Sequence, residues 1–253
     1  MESVSFNLAV RQLSVHSGTR VLINALDLAL EPGEVLGILG ANGAGKSSLL
    51  TALAGLAAPA AGQVTLDGHA LNALLPLIRA QHIGLLPQSD EGGFFGSVAD
   101  FVALGRYPFG VASFTDAPGD LPSHLAAWEL TELAHRALDT LSGGERQRAR
   151  LAQLSVQTPQ HYLLDEPLTH LDPAHQARLL AWARTEADAG KSVTLTLHDP
   201  NWAACHCDRL LFLFGDGRWQ TGTPATLLNP DSLEALYGAG TAALWQGRGA
   251  HAV

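Results

Sequence analysis

Residues 34–56, EVLGILGANGAGKSSLLTALAGL, constrain the fold more than any other stretch. An apolar run too short for a buried helix enters a glycine-rich turn, and a helical apolar pattern follows at once. A strand of this kind is covered on both faces and its helix packs back on the sheet, which predicts a mainly parallel α/β fold. Gly40, Gly45, Lys46 and Ser47 match the spacing G-x-x-x-x-G-K-[ST]. Glycines there let successive backbone N–H groups curl round a phosphate at the positive end of a helix. The expected cradle is Gly40, Ala41, Asn42, Gly43, Ala44, Gly45, Lys46, Ser47 and Ser48. In it Lys46 neutralises β- and γ-phosphate oxygens, and the Ser47 hydroxyl is available to Mg²⁺. The apolar stretch LLTALAGLAAPAAG, 49–62, broken by Pro59 and Gly62, reads as the helix that follows.

Two later stretches extend the site. HYLLDEP, 161–167, is a buried strand ending in Asp165 and Glu166. Ligands of parallel sheets bind beyond the C-terminal ends of the strands, so both carboxylates belong at the phosphate-binding edge. Asp165 suits the hydration shell of Mg²⁺, and Glu166 is placed to polarise an attacking water. In LSGGERQ, 141–147, Ser142 and Glu145 form a capping box. A cap alone does not require Gly143 and Gly144, which are poor helix formers. Side-chain-free residues at a positive helix end offer N–H groups to an anion. With one cradle already present, a second anion site fits the nucleotide of a second copy of the chain.

Elsewhere FNLAVRQLSV, NALDLALEPG and IGLLP read as strands, as do HYLLDE, SVTLTLHD and DRLLFLF, with helices between the later ones. From Ser89 to Thr140 the pattern changes to loops and short helices, SVADFVALG opening on a Ser97 cap. GDG at 215–217 reads as a hairpin turn before short helices around PATLL and DSLEALYG. The expected organisation is one unit over 1–253: N-terminal strands and cradle 1–88, helical insertion 89–148, second half of the core 149–214, and a C-terminal hairpin, short helices and tail 215–253. At 253 residues and 47% hydrophobic, the chain can bury its core without staples. Its two cysteines, in CHC at 205–207, make no disulfide framework and fit a reduced compartment. The net charge of −9, with Lys46 and Lys191 the only lysines, argues against nucleic acid or an anionic membrane surface as partner. MESVSFNLAV has no basic start and apolar run of a secretory leader, and no stretch is apolar for long enough to span a bilayer. A role at a membrane then requires another chain.

The glycine loop, Gln88 in LLPQ, LSGGERQ, LLDEP, THLD and His198 in LTLHD occur in the order seen in ATP-binding cassette proteins, and the resemblance covers nearly the whole chain. It implies a P-loop NTPase (RecA-like) α/β core with a mainly parallel sheet, an N-terminal antiparallel β subdomain and an inserted α-helical subdomain. It implies an ATPase with ATP and Mg²⁺ as ligands, working as a head-to-tail homodimer. Each ATP then lies between one copy's glycine loop and the other's Ser142, Gly143 and Gly144, with Asp172 at the seam. The implied catalytic residues are Glu166, His198, which holds the γ-phosphate and the attacking water, and Gln88, which senses Mg²⁺ and that water. The implied metal-binding residues are Ser47, Gln88 and Asp165.

VALGRYPFG, 102–110, is similar to the matching segment of importer ATPases for iron–siderophore, haem and cobalamin. The implied partners are a transmembrane permease, docked near Phe94–Phe109, and, indirectly, a periplasmic or surface substrate-binding protein. The chain would then be peripheral on the cytoplasmic face of the inner membrane, with no nucleic-acid partner. Phe94, Phe95, Phe101, Tyr107, Phe109 and Phe114 concentrate around this segment. The alternatives are the ATPase of a different transporter, or a soluble cassette protein acting on ribosomes or DNA. A single cassette, no heptads and a negative charge weigh against the second.

Two departures stand out. SVHSGTR has Ser17 where the family commonly has a tyrosine against adenine, with His16 beside it, so adenine selectivity is expected to be weak. If Ser17 faces the base, His16 points to the opposite side of the strand. The strand before Asp165 opens with His161, where an aliphatic residue is usual.

Overall fold

The structure, a computed structural model, describes residues 7–89, 93–110 and 121–241. Its first half runs β1 (Leu8–Ser17), β2 (Arg20–Leu30), β3 (Val35–Leu39), α1 (Lys46–Leu53), β4 (Ala61–Leu66), β5 (His69–Ala70), α2 (Pro76–His82) and β6 (Ile83–Leu86). Helices α3 (Val98–Ala103), α4 (Leu121–Ala127) and α5 (Gly143–Gln157) follow. Then come β7 (His161–Leu164), α6 (Pro173–Asp188), β8 (Ser192–Thr196), α7 (Pro200–His206), β9 (Arg209–Leu213), β10 (Trp219–Gly222), α8 (Pro224–Leu227) and α9 (Pro230–Tyr237).

Two sheets form. β2-β1-β4-β5 is antiparallel, and β10-β9-β3-β8-β7-β6 is parallel except for the β9–β10 hairpin. That hairpin turns on GDG, where Gly215 and Gly217 take φ 73° and 94°. The period-2 alternation of β3 divides the interior. Val35 and Leu39 face a cluster shared with the helical insertion and α6, while Leu36 and Ile38 face one shared with the antiparallel sheet and α1. β8 lies between β3 and β7, so the C-terminal ends of these three strands are neighbours. The candidate functional site lies at those ends.

The stretch 49–62 is not one helix. α1 stops at Leu53, Gly55 takes φ 70°, and β4 starts at Ala61. A glycine in the left-handed region ends a helix without steric cost. Gly62 is a strand residue at a close crossing, where a Cβ would lie 2.2 Å from the Gln12 carbonyl oxygen.

The odd residues of the sequence find ordinary places. His161 is fully buried, but Ser192 stands directly opposite it on β8 and its hydroxyl is 2.6 Å from His161 Nδ1. Cys207 fills the notch left by Gly37, where a Cβ would meet its Sγ at 2.7 Å, and burial pushes its thiol up to about 12. Cys205 is exposed, and among the described residues no three His, Cys, Asp or Glu side chains cluster in a way that could hold a metal. No described helix is long and apolar enough to cross a membrane.

Candidate functional site

The glycine loop leaves β3 and ends at Gly45, the N-cap of α1, at φ 104°. Gly40 has no room for a side chain: a Cβ would lie 2.4 Å from the Leu213 carbonyl oxygen on β9. Gly43, at φ 75°, has open space around its Cα, as a residue facing a ligand does. Lys46 is 5% exposed, and its ammonium donates back across the loop to the carbonyls of Gly40 (2.8 Å) and Ala41 (3.3 Å). Burial lowers its pKa below the usual 10.5, against the opposing pull of Glu166 and then Asp165. One lysine thus faces both carboxylates.

Asp165 and Glu166 are fixed by a residue the sequence reading missed. The Thr196 hydroxyl, at the end of β8, donates to Asp165 Oδ1 at 2.9 Å and accepts the Glu166 N–H at 2.6 Å. Thr196 and Asp165 are 1% and 4% exposed, so these bonds sit in low dielectric. Glu166 adopts φ 47°, left-handed for a non-glycine residue. Its Oε1 lies 2.9 Å from His198 Nε2, just beyond the same strand end. The proposed base and the proposed γ-phosphate contact are therefore in direct contact.

A pocket of roughly 520 Å³ gathers Ser17, Arg20, Leu22, Asn42, Gly43, Gly45, Lys46, Ser47, Ser48, Gln88 and Glu166. Gln88 sits at its edge, just after β6. The carbonyl of the preceding Pro87 accepts a hydrogen bond from Arg150 of α5, which also donates to Gln147 at 2.9 Å. The mouth of the pocket is thereby tied to the helix that LSGGERQ opens. His16 lines a different hollow, beside Thr51 and Ala52, as strand alternation requires.

Ser142, Gly143, Gly144 and Asp172 do not line this pocket. Ser142 caps α5 in the expected box, its hydroxyl accepting the Glu145 N–H at 3.3 Å while Glu145 Oε2 accepts the Ser142 N–H at 2.8 Å. Gly144 also has a reason inside its own chain: a Cβ there would be 2.9 Å from the His170 carbonyl oxygen. Gly143 meets His170 only at ordinary contact distances, 3.7–3.8 Å. Asp172 caps α6 and pairs with His175 Nδ1 at 2.9 Å, and His175 Nε2 reaches Glu129 at 3.2 Å. His175 thus links the start of α6 to the insertion.

The aromatic cluster divides. Phe101 is buried and Phe94 packs edge-on against it at 5.4 Å, so these two rings belong to the interior of the insertion. Phe95 is 93% exposed and Tyr107 63%, with Phe109 also exposed, while Phe114 lies outside the described residues. Leu75, Leu77 and Ile78, at the start of α2, are exposed too, and Gln81 on that helix donates to the Pro108 carbonyl at 2.8 Å. The sequence reading overlooked this second half of the patch.

A glycine-loop cradle with a buried lysine, two strand-end carboxylates and a histidine on one of them defines a nucleoside-triphosphate hydrolase. The ABC transporter family matches residues 23–169, and the chain belongs to that family as an ATP-binding, ATP-hydrolysing subunit. It is 43% identical over 236 residues to the hemin import ATP-binding protein HmuV of Pseudomonas aeruginosa, covering 91% of this chain and 92% of that one. To the protein of the same name from Bordetella avium it is 37% identical over 239 residues, with the same coverage. Among solved structures, a metal-chelate type ABC transporter in an inward-facing conformation matches with TM-score 0.77 and 28% identity, covering 92% of this chain and 89% of that chain. CbiO1 of Clostridium perfringens shares the fold, with TM-score 0.73 at 24% identity over 89% of this chain and 91% of that chain.

Proposed function

We propose that this chain is the ATPase subunit of a haemin importer, working as a homodimer beneath a separate permease. The observation that carries the catalytic half is the contact of Glu166 with His198 at the mouth of the pocket that holds Lys46. Glu166 takes the proton of the attacking water, and His198, half-exposed at 47%, holds Glu166 in place and reaches toward the γ-phosphate. Lys46 is held over the loop at the place where β- and γ-phosphate oxygens arrive.

The donors around the loop fit Mg²⁺. The Ser47 hydroxyl, the Gln88 amide and Asp165 would offer oxygen ligands, one of them a carboxylate, as suits an ion that keeps waters and phosphate oxygens in its shell. Bound there, Mg²⁺ would supply charge neutralisation between the β- and γ-phosphates. Thr196 keeps Asp165 oriented for this role.

Ser142, Gly143 and Gly144 lie outside their own chain's pocket, which supports their service to the nucleotide of a second copy. The exposed Tyr107 and Phe109, tied to Leu75, Leu77 and Ile78 through the Gln81–Pro108 bond, and the exposed Phe95 offer apolar surface to a permease helix. Gly105, beside Tyr107, packs on α5 at Gln153, and Arg150 of the same helix bonds the Pro87 carbonyl next to Gln88.

Haemin as cargo rests on the names of the relatives that match across nine-tenths of the chain. The test is uptake into proteoliposomes holding the chain, its permease and the binding protein, with haemin, cobalamin and a ferric siderophore offered in parallel. ATP-dependent entry of haemin alone supports the reading, and entry of another chelate reassigns the cargo. Phe95→Asp with Tyr107→Ala should abolish uptake while basal ATPase activity persists.

A further inference from the structure

Ser17 leaves the expected aromatic ring missing, and the structure puts another planar group on the same face of the hairpin, in the same pocket. Ser17 and Arg20 are direct cross-strand partners across the two-residue turn Gly18–Thr19, so their side chains share a face of the β1–β2 hairpin. Both line the pocket that contains Lys46 and Ser47, and Leu22, two residues along β2, continues the same face. Arg20 Nε donates to the Gly215 carbonyl at 3.0 Å, which fixes the guanidinium plane at the side of the cradle. The corner it occupies is tight: a Cβ on Gly215 would meet Arg20 Nη2 at 3.1 Å and Ala44 Cα at 3.0 Å. None of the ion pairs among the described residues involves Arg20.

We infer that the Arg20 guanidinium is the platform on which the nucleotide base stacks, an assignment that rests on the nucleotide-binding reading of this pocket. A guanidinium is flat, delocalised and weakly hydrated, and it pairs face-on with aromatic rings. Leu22 and the aliphatic stem of Arg20 supply the apolar wall beside it. Because every base has a π face, such a platform holds the ring without reading its edge. The site then takes GTP nearly as well as ATP, and it does so through Arg20 rather than through the phosphates alone.

The test is a competition titration of the full chain with ATP, GTP and inorganic triphosphate. Arg20→Ala should weaken ATP and GTP together by about five- to fiftyfold, and leave triphosphate within about twofold. Arg20→Lys keeps the charge but not the plane, and should behave like the alanine variant. Adding Ser17→Tyr to Arg20→Ala should restore nucleotide affinity, which a misfolded hairpin could not do. Loss of triphosphate binding in parallel with ATP would make Arg20 a phosphate contact and overturn the inference, as would wild-type behaviour of Arg20→Lys or of Arg20→Ala. Lys46→Ala should weaken all three ligands. A wild-type chain that binds neither nucleotide nor triphosphate would defeat the nucleotide reading itself, whereas the preceding outcomes strike Arg20 alone.

Discussion

Replacing Thr196 by valine removes one oxygen at nearly constant volume, and two groups lose their partner. Asp165 Oδ1 loses a donor at 2.9 Å and the Glu166 N–H loses an acceptor at 2.6 Å. Leaving a buried polar group unpaired costs about 1–3 kcal/mol, and a charged partner lies toward the upper end. Water entering from the pocket recovers part of this, so the expected destabilisation is about 2–4 kcal/mol. Thr196→Ser keeps the hydroxyl and removes a methyl, for a cost of about 1 kcal/mol. Urea unfolding of the three proteins gives the stabilities, and steady-state ATPase assays on the same samples give turnover. Valine should be the less stable variant and should lose turnover about tenfold or more, because the Asp165 carboxylate and the Glu166 backbone lose their shared anchor, while serine retains most activity. Equal stability of the valine and serine variants, with turnover unchanged in both, would refute the claim that Thr196 organises the site.

Gly144→Ala should destabilise the fold by about 1–2 kcal/mol, since its Cβ would sit 2.9 Å from a backbone carbonyl oxygen. Gly143→Ala should be neutral or slightly stabilising in the same denaturant melts, because its nearest atoms are at 3.7 Å and alanine is the better helix former. Glu145 is held below its ordinary 4.5 by accepting the Ser142 N–H. A carboxylate with a depressed folded-state pKa stabilises the fold above 4.5, and that stabilisation disappears as pH falls through the folded value. The stability gap between wild type and Glu145→Gln should therefore be constant near neutral pH and shrink as pH falls below 4.5, and a gap independent of pH would remove the capping carboxylate from the account.

What was readable in the sequence was local. The cradle from Gly40 to Ser48, the Ser142–Glu145 box and the carboxylate pair each lie within a few residues, and each appears where its spacing puts it. Thr196 was hidden because its role depends on β8 lying between β3 and β7, a pairing across about thirty residues that no local pattern encodes. Arg150 was hidden for the same reason, since its acceptor on Pro87 is in another element altogether. The helix after the cradle was read too long because LAGLAAPAAG, 53–62, is apolar and rich in the helix former alanine, whereas the left-handed Gly55 and the pairing of Ala61–Leu66 with β1 end it early. The aromatic run could not be sorted by sequence: Phe101 and Phe95 look alike until burial separates them.

The most direct test of the account is sedimentation velocity on Glu166→Gln, with Mg·ATP and with Mg·ADP, alongside its ATPase rate. The variant keeps the shape of Glu166 and its backbone bond to Thr196 but loses the base, so turnover should fall by about 10²–10⁴-fold while ATP still binds. With hydrolysis stopped and, in the proposed homodimer, the γ-phosphate bridging Lys46 of one copy and Ser142 of the other, it should sediment as a dimer in ATP and as a monomer in ADP. Adding Ser142→Arg should abolish the dimer. A monomer under both nucleotides, or turnover within a few-fold of wild type, would contradict the account.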